Sequence, residues 1–283
     1  MTAVWLALAA AVCFGAMPVA VRFAFQADVS ASLGTLAMQV AAFAVAAAGA
    51  AFEGVQLAGV VPFLLAGLIA PGASQIFITL GIREAGSSRA SIAFGTAPLF
   101  AVAIALVALS ERPGVAVLAG VVLVVVGGVA LAFERDRPEH VRWIGLGYAV
   151  LGALLFAVRD NLVRHLSLDT GVPPLTAASA TLASAIAFSA VYAAIRGDRL
   201  VRPPAAIARW IAPGVLIGLA YVALFEAFYR GQVSVVAPVV GTESLWGVLL
   251  SALLLQRSER VGPRLALGAA LVVVGGVLIA VFR

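Results

Sequence analysis

Lysine is absent from this sequence, and the gap excludes several activities at once. A phosphate-binding Walker A loop needs a lysine on the phosphates, and retinal or pyridoxal chemistry needs a lysine amine for its Schiff base. ATP-driven pumping by this chain alone is therefore excluded. Cysteine occurs once, at Cys13, so no intrachain disulfide forms, and the residue reads as a small apolar filler in a helix. With only His140 and His165, neither an HExxH motif nor a Cys/His cluster can be assembled, and no metal or other cofactor is expected. Charge is scarce too. Charged residues make up 11% of the chain against 63% hydrophobic, with a mean hydropathy of +1.12, whereas a soluble domain carries roughly 25% charge. The bilayer is the natural solvent. The formal net charge of +5 comes from arginine alone. Those arginines sit mostly between apolar runs, which points to anionic lipid headgroups and not to nucleic acid.

What is present is organised in two copies. Glu111-Arg112-x-Gly114, Gly120 and Leu123 to Val129 return 148 residues later as Glu259-Arg260-x-Gly262, Gly268 and Leu271 to Val277. Over residues 111 to 130 and 259 to 278, eleven of twenty positions are identical. Apolar composition explains shared valines but not a charged dipeptide in register with four glycines, so the chain is a duplicated unit.

Ten apolar segments approach the roughly 20 residues that a helix needs to cross a bilayer. They lie near 4–25, 33–52, 60–82, 90–109, 114–133, 143–165, 174–195, 209–229, 233–255 and 263–282. The first has neither a basic leader nor a small-residue cleavage site, and reads as a retained helix. The polar run Glu134 to Arg142 divides the chain into a first repeat (1–133), a linker (134–142) and a second repeat (143–283). Arg196 to Pro204 is the longest loop inside the second repeat. Because five crossings are an odd number, the second repeat starts on the opposite side of the membrane. The expected fold is an all-α integral membrane protein, with ten transmembrane helices in two inverted five-helix repeats.

Several features together carry a resemblance: the five-plus-five layout, Glu-Arg after the fourth and ninth segments, and glycine-rich fifth and tenth segments. Phe14-Gly15 with Arg22 in the first segment and Ala97-Pro98 in the fourth complete it. Over its whole length the chain resembles the EamA family of the drug/metabolite transporter superfamily. It departs from the family where Phe14 replaces the usual tryptophan before Gly15, and where Ser244 and Leu245 follow Glu243 in place of a common proline. The resemblance implies a multi-pass protein of a bacterial inner membrane. It also implies that segments one, three, four, six, eight and nine line a central cavity, with five and ten at its edge. The residues agree on the last point, since Gly127-Gly128 and Gly275-Gly276 suit close helix packing, within a monomer or across a homodimer. With both termini inside, as the resemblance implies, five arginines lie inside and thirteen outside. The positive-inside rule predicts the reverse.

Polar residues at membrane depth mark the candidate site, because an ionisable group there costs at least about 2.5 to 3.5 kcal/mol to insert. Glu243 lies mid-segment, five residues after Pro238. On a continuous helix it shares a face with Val239 and Trp246, setting a carboxylate beside an indole. In the sixth segment Tyr148, Gly152, Leu155 and Arg159 share a face, while Asp160 sits four residues before Arg164 and is expected to pair with it. Arg159 is then left to bind Glu243 or an anionic group of the substrate, or else to extend to the headgroups. Gln75 and Thr79 share a face after Pro71-Gly72, and Tyr221, Phe225 and Phe228 form a stripe that serves as cavity wall or as packing. Glu226 is placed to pair with Arg230 at i+4.

The expected function is secondary transport of a small organic metabolite by alternating access. The resemblance favours export of amino acids, and the aromatic lining suits neutral or aromatic ones. Proton coupling through Glu243 fits the same site. Within transport the alternatives are a cationic effluxer using Glu243 as counter-charge and a carrier of phosphorylated or sugar-linked metabolites, which would want more buried arginine; outside it they are an integral membrane enzyme and a receptor or scaffold. The enzyme would need a nucleophile with a base at membrane depth, and no G-x-S-x-G elbow occurs.

Overall fold

The computed structural model describes residues 1–24, 31–85, 95–132, 143–197, 204–255 and 263–282. Among them every regular element is helical. The first repeat supplies α1 (Thr2–Ala24), α2 (Ala31–Glu53), α3 (Val61–Gly67), a π-helical turn (Leu68–Ala73), α4 (Ser74–Ala85), α5 (Ala97–Ala108) and α6 (Val115–Ala132). The second supplies α7 (Trp143–Asp169), α8 (Pro174–Ile195), a short α9 (Pro204–Ala208), α10 (Ile211–Arg230), α11 (Val233–Val240), α12 (Glu243–Leu255) and α13 (Pro263–Phe282). Six runs are long and apolar enough to cross a membrane: α1, α2, α3 through α4, α7, α8 and α9 through α10. The polar linker 134–142, Glu259-Arg260 and residues 90–94 of the fourth expected span lie outside the described residues.

The surface is the reverse of a soluble protein's. Trp5, Phe52, Val107, Trp143 and Val191 are exposed, while the small residues Ala7, Ala42, Ala46, Ala153 and Ala177 are fully buried where helices meet. In lipid there is no hydrophobic force between helices, so close packing of small residues does the joining. Helical backbones satisfy their own polar groups, and hydroxyls follow suit: Ser179, Thr181 and Thr242 each donate to a carbonyl three or four residues back.

Two expected spans are broken. The third is interrupted at Ala70-Pro71, where Ala70 leaves helical geometry (φ −147°, ψ 128°) and proline withholds its amide. The ninth divides into α11 and α12 at Gly241-Thr242. This corrects the expectation of a continuous helix with Val239, Glu243 and Trp246 on one face, because Glu243 instead opens a new helix. The start of α5 is similar, with Gly95-Thr96 just before Ala97-Pro98. The break in the ninth span touches this helix start, since a β-carbon on Gly241 would lie 2.9 Å from Pro98 Cγ.

The repeated Glu-Arg motif has a structural use in its first copy. Glu111 is buried, and its two carboxylate oxygens accept hydrogen bonds from the Val233 and Ser234 amides at 2.8 and 2.9 Å. A carboxylate at a helix N-terminus satisfies amides that have no intrahelical partner and complements the positive end of the dipole. The first repeat thereby fixes the start of α11 in the second.

The glycine-rich helices α6 and α13 pack on each other, as their composition predicted. Gly120 meets Gly275 and Gly127 meets Gly268, so positions rising along one helix fall along the other. The helices run antiparallel. The neighbouring Gly128 and Gly276 face Ser244 and Thr242 at the break in the ninth span. These glycines therefore serve packing within one chain.

Candidate functional site

Glu243, the first residue of α12, is surrounded by protein yet keeps partial exposure. Helix α1 holds this end of α12 in place. A β-carbon on Gly15 would lie 2.6 Å from the Glu243 carbonyl oxygen and 2.7 Å from Trp246 Cβ, so only glycine permits the approach. Beside Gly15, Phe14 meets Tyr221 of α10 edge-on at 6.0 Å, and Tyr221 stacks on Phe225 at 5.9 Å.

Those two rings lead to Arg159. Its guanidinium carbon lies 5.1 Å from the centre of the Tyr221 ring, 5.2 Å from Phe156 and 5.9 Å from Phe225. The side chain is only 1% exposed, which corrects the reading of a residue reaching for the headgroups. Burying a lone guanidinium costs several kcal/mol, and contact with aromatic faces returns about 0.5 to 2 kcal/mol for each.

The pairing of charges also differs from expectation. Asp160 lies 3.0 Å from Arg159 Nε through its Oδ1. Arg164 does not bind it but donates to the carbonyls of Phe228 (2.8 Å) and Tyr229 (3.3 Å) at the end of α10. Helical spacing made Asp160 and Arg164 neighbours, but the unpaired carbonyls at a helix C-terminus offer Arg164 a better partner. The Arg159–Asp160 contact is an ion pair without hydrogen-bond alignment, as neither Arg159 Nε nor Asp160 Oδ1 gains a hydrogen bond from it. Asp160 is within electrostatic reach of Glu243. A chain of contacts thus runs from Glu243 and Trp246 through Gly15, Phe14 and Tyr221 to Arg159 and Asp160.

Asn161 sets the rotation of α7 that presents this pair. Its amide donates to the Ala101 carbonyl of α5 (3.0 Å) and to Ala157 (2.9 Å). Asn161, Phe14 and Phe156 were not among the residues singled out as candidates from the sequence. A buried amide next to an Arg-Asp pair was the available signal for Asn161.

Of the expected site residues, Glu243, Trp246, Arg159, Tyr221 and Phe225 come together. Tyr148 pairs with Phe77 at 6.1 Å and lies eleven residues before Arg159, about 16 Å along the helix. Gln75 is partly exposed on α4, whose neighbouring Ser74 packs at Gly152, about 10 Å along α7 from Arg159. The Thr79 side chain and that of Arg22 lie outside the described residues. Phe228 is fully buried in the core, and Glu226 pairs with Arg230 as expected.

This geometry defines a class: a multi-pass helical membrane protein with charged and aromatic side chains gathered inside its bundle. The EamA-like transporter family profile matches residues 1–133 and again 143–281, and the chain belongs to that family. Its members are membrane transporters. A crystal structure 21% identical in sequence matches with a TM-score of 0.84 over 99% of this chain and 98% of the other, which shows a shared fold. No curated protein matches the chain significantly.

Proposed function

We propose that this transporter moves neutral or aromatic amino acids out across a bacterial inner membrane by alternating access, using ten spans arranged as two inverted five-helix repeats, 1–133 and 143–283. The observation that carries the site is Glu243, a partly exposed carboxylate at the head of α12 with Trp246 one turn on and the Tyr221–Arg159–Asp160 cluster within reach. A carboxylate beside aromatic walls suits a small amphipathic solute with an ammonium group. The antiparallel crossing of the equivalent helices α6 and α13 supports inversion of the repeats.

The test is counterflow of radiolabelled phenylalanine and other amino acids in proteoliposomes holding only the purified chain. Flux without nucleotide is expected, since lysine-free sequence builds no Walker loop. Absence of flux for every amino acid overturns the reading. A second reading, efflux of organic cations, is favoured by the local charge: two carboxylates, Asp160 and Glu243, against one guanidinium, Arg159. Tetraphenylphosphonium in the same vesicles tests it, and flux of that cation in preference to amino acids would establish it.

A further inference from the structure

We propose that Arg159 is the carboxylate receptor of the substrate site, so that the transported solute is a zwitterion held between Arg159 and the Glu243 carboxylate. The inference rests on the amino-acid reading above and sharpens it, by naming the residue that rejects amines and amides.

Arg159 Nε and Nη1 and Trp246 Nε1 are buried without a hydrogen-bond acceptor among the described residues. The Tyr221 hydroxyl lies close to the guanidinium, likewise without an aligned partner. Aromatic faces stabilise the positive charge of a guanidinium, but they cannot take up its in-plane N–H groups as oxygen lone pairs do. Asp160, the adjacent residue on the same helix, approaches Nε at 3.0 Å without alignment. The two-pronged geometry that arginine offers a carboxylate therefore remains unused.

Ligand charge follows from the neighbours. A cation alone would satisfy Glu243 and Asp160 but leave the donors of Arg159 and Trp246 without acceptors, and unsatisfied buried donors are costly. A phosphate dianion would meet Arg159 but face two carboxylates, and like charges brought together cost several kcal/mol. A singly charged carboxylate with an ammonium a few bonds away meets both requirements. Tyr221 and Phe225 against the guanidinium, and Trp246 one turn from Glu243, are aromatic surfaces that suit an apolar or aromatic side chain on such a solute.

The experiment uses ligands more than mutants, so it does not depend on a variant folding. Binding of L-phenylalanine, phenylalanine amide, phenethylamine and 3-phenylpropionate to the purified full chain in detergent is measured by calorimetry. Phenylalanine is expected to bind best, with the amide and phenethylamine weaker by about thirtyfold or more. Arg159→Lys keeps the charge but loses the planar fork. It should abolish the preference for phenylalanine over its amide, whereas Glu243→Gln should keep that preference and lose the one over 3-phenylpropionate. Equal binding of phenylalanine and its amide to the unaltered protein overturns the role of Arg159 while leaving amino-acid transport intact. No binding by any of the four overturns the amino-acid reading and this inference together.

Discussion

Gly120 and Gly275 are in backbone contact: a β-carbon on the first would lie 2.7 Å from the carbonyl oxygen of the second, and one on the second 2.6 Å from that of the first. Adding 148 to Gly120 gives Gly268, and subtracting it from Gly275 gives Gly127. That pair makes the same contact, at 2.7 Å. Exchanging the repeats maps one contact onto the other, as a two-fold axis between α6 and α13 requires.

Valine at Gly120 or Gly275 should therefore push the helices apart. Overpacking costs about 1 to 3 kcal/mol where side chains can give way, and backbone gives way less readily. The melting temperature in detergent is expected to fall by several degrees for either variant. Alanine at Gly114 or Gly147, where an added β-carbon meets nothing within 4 Å, should leave it unchanged.

Glu111→Ala removes the acceptor for two buried amides, Val233 and Ser234. Bonds to a charged group contribute about 1.5 to 3 kcal/mol each, so the start of α11 should lose order. Hydrogen exchange at residues 233 to 236 is expected to rise by about tenfold or more. Glu111→Gln, which keeps an oxygen acceptor, should show an intermediate rise. Unchanged exchange in the alanine variant would leave Glu111 without a capping role.

Glu243→Gln keeps the size of the side chain and removes its charge. The protein should insert and elute as wild type, with flux about tenfold lower or more, equivalent to about 1.4 kcal/mol of charge-specific interaction. Flux near that of the unaltered chain would move the working site away from Glu243. Trp246→Phe, which removes the Nε1 donor but keeps an aromatic wall, is expected to weaken apparent affinity with little change in maximal flux.

Membrane topology is checked with single cysteines in a Cys13→Ser background. For inverted repeats, cysteines placed at Arg112 and at Arg260 should label from opposite faces. Labelling of both from one face would rule out inversion.

Much of this architecture could be read from residue order. The duplication, the apolar spans and the packing of the α6 and α13 glycines follow from composition and a fixed offset, properties that survive without knowing any tertiary contact. The candidates Glu243, Arg159 and Tyr221 could be singled out because ionisable and aromatic groups at membrane depth are few. What failed were assignments that depend on the exact path of the backbone. The face shared by Val239, Glu243 and Trp246 assumed an unbroken helix, and Gly241-Thr242 ends it. The Asp160–Arg164 pair followed helical spacing, but carbonyls from α10, distant in sequence, took Arg164. Glu111 could be recognised as repeated but not as a cap, because its partners lie 122 and 123 residues away.

The contact between Gly241 and Pro98 has a mechanical consequence. Gly241 lies where the ninth span loses its hydrogen-bonded continuity, and Pro98 lies in the first turn of α5. Because the two bear on one another, a tilt of α12 about its break loads the start of α5. The joint is a bearing between the two repeats: displacement of the α11–α12 corner in one is felt at the head of α5 in the other.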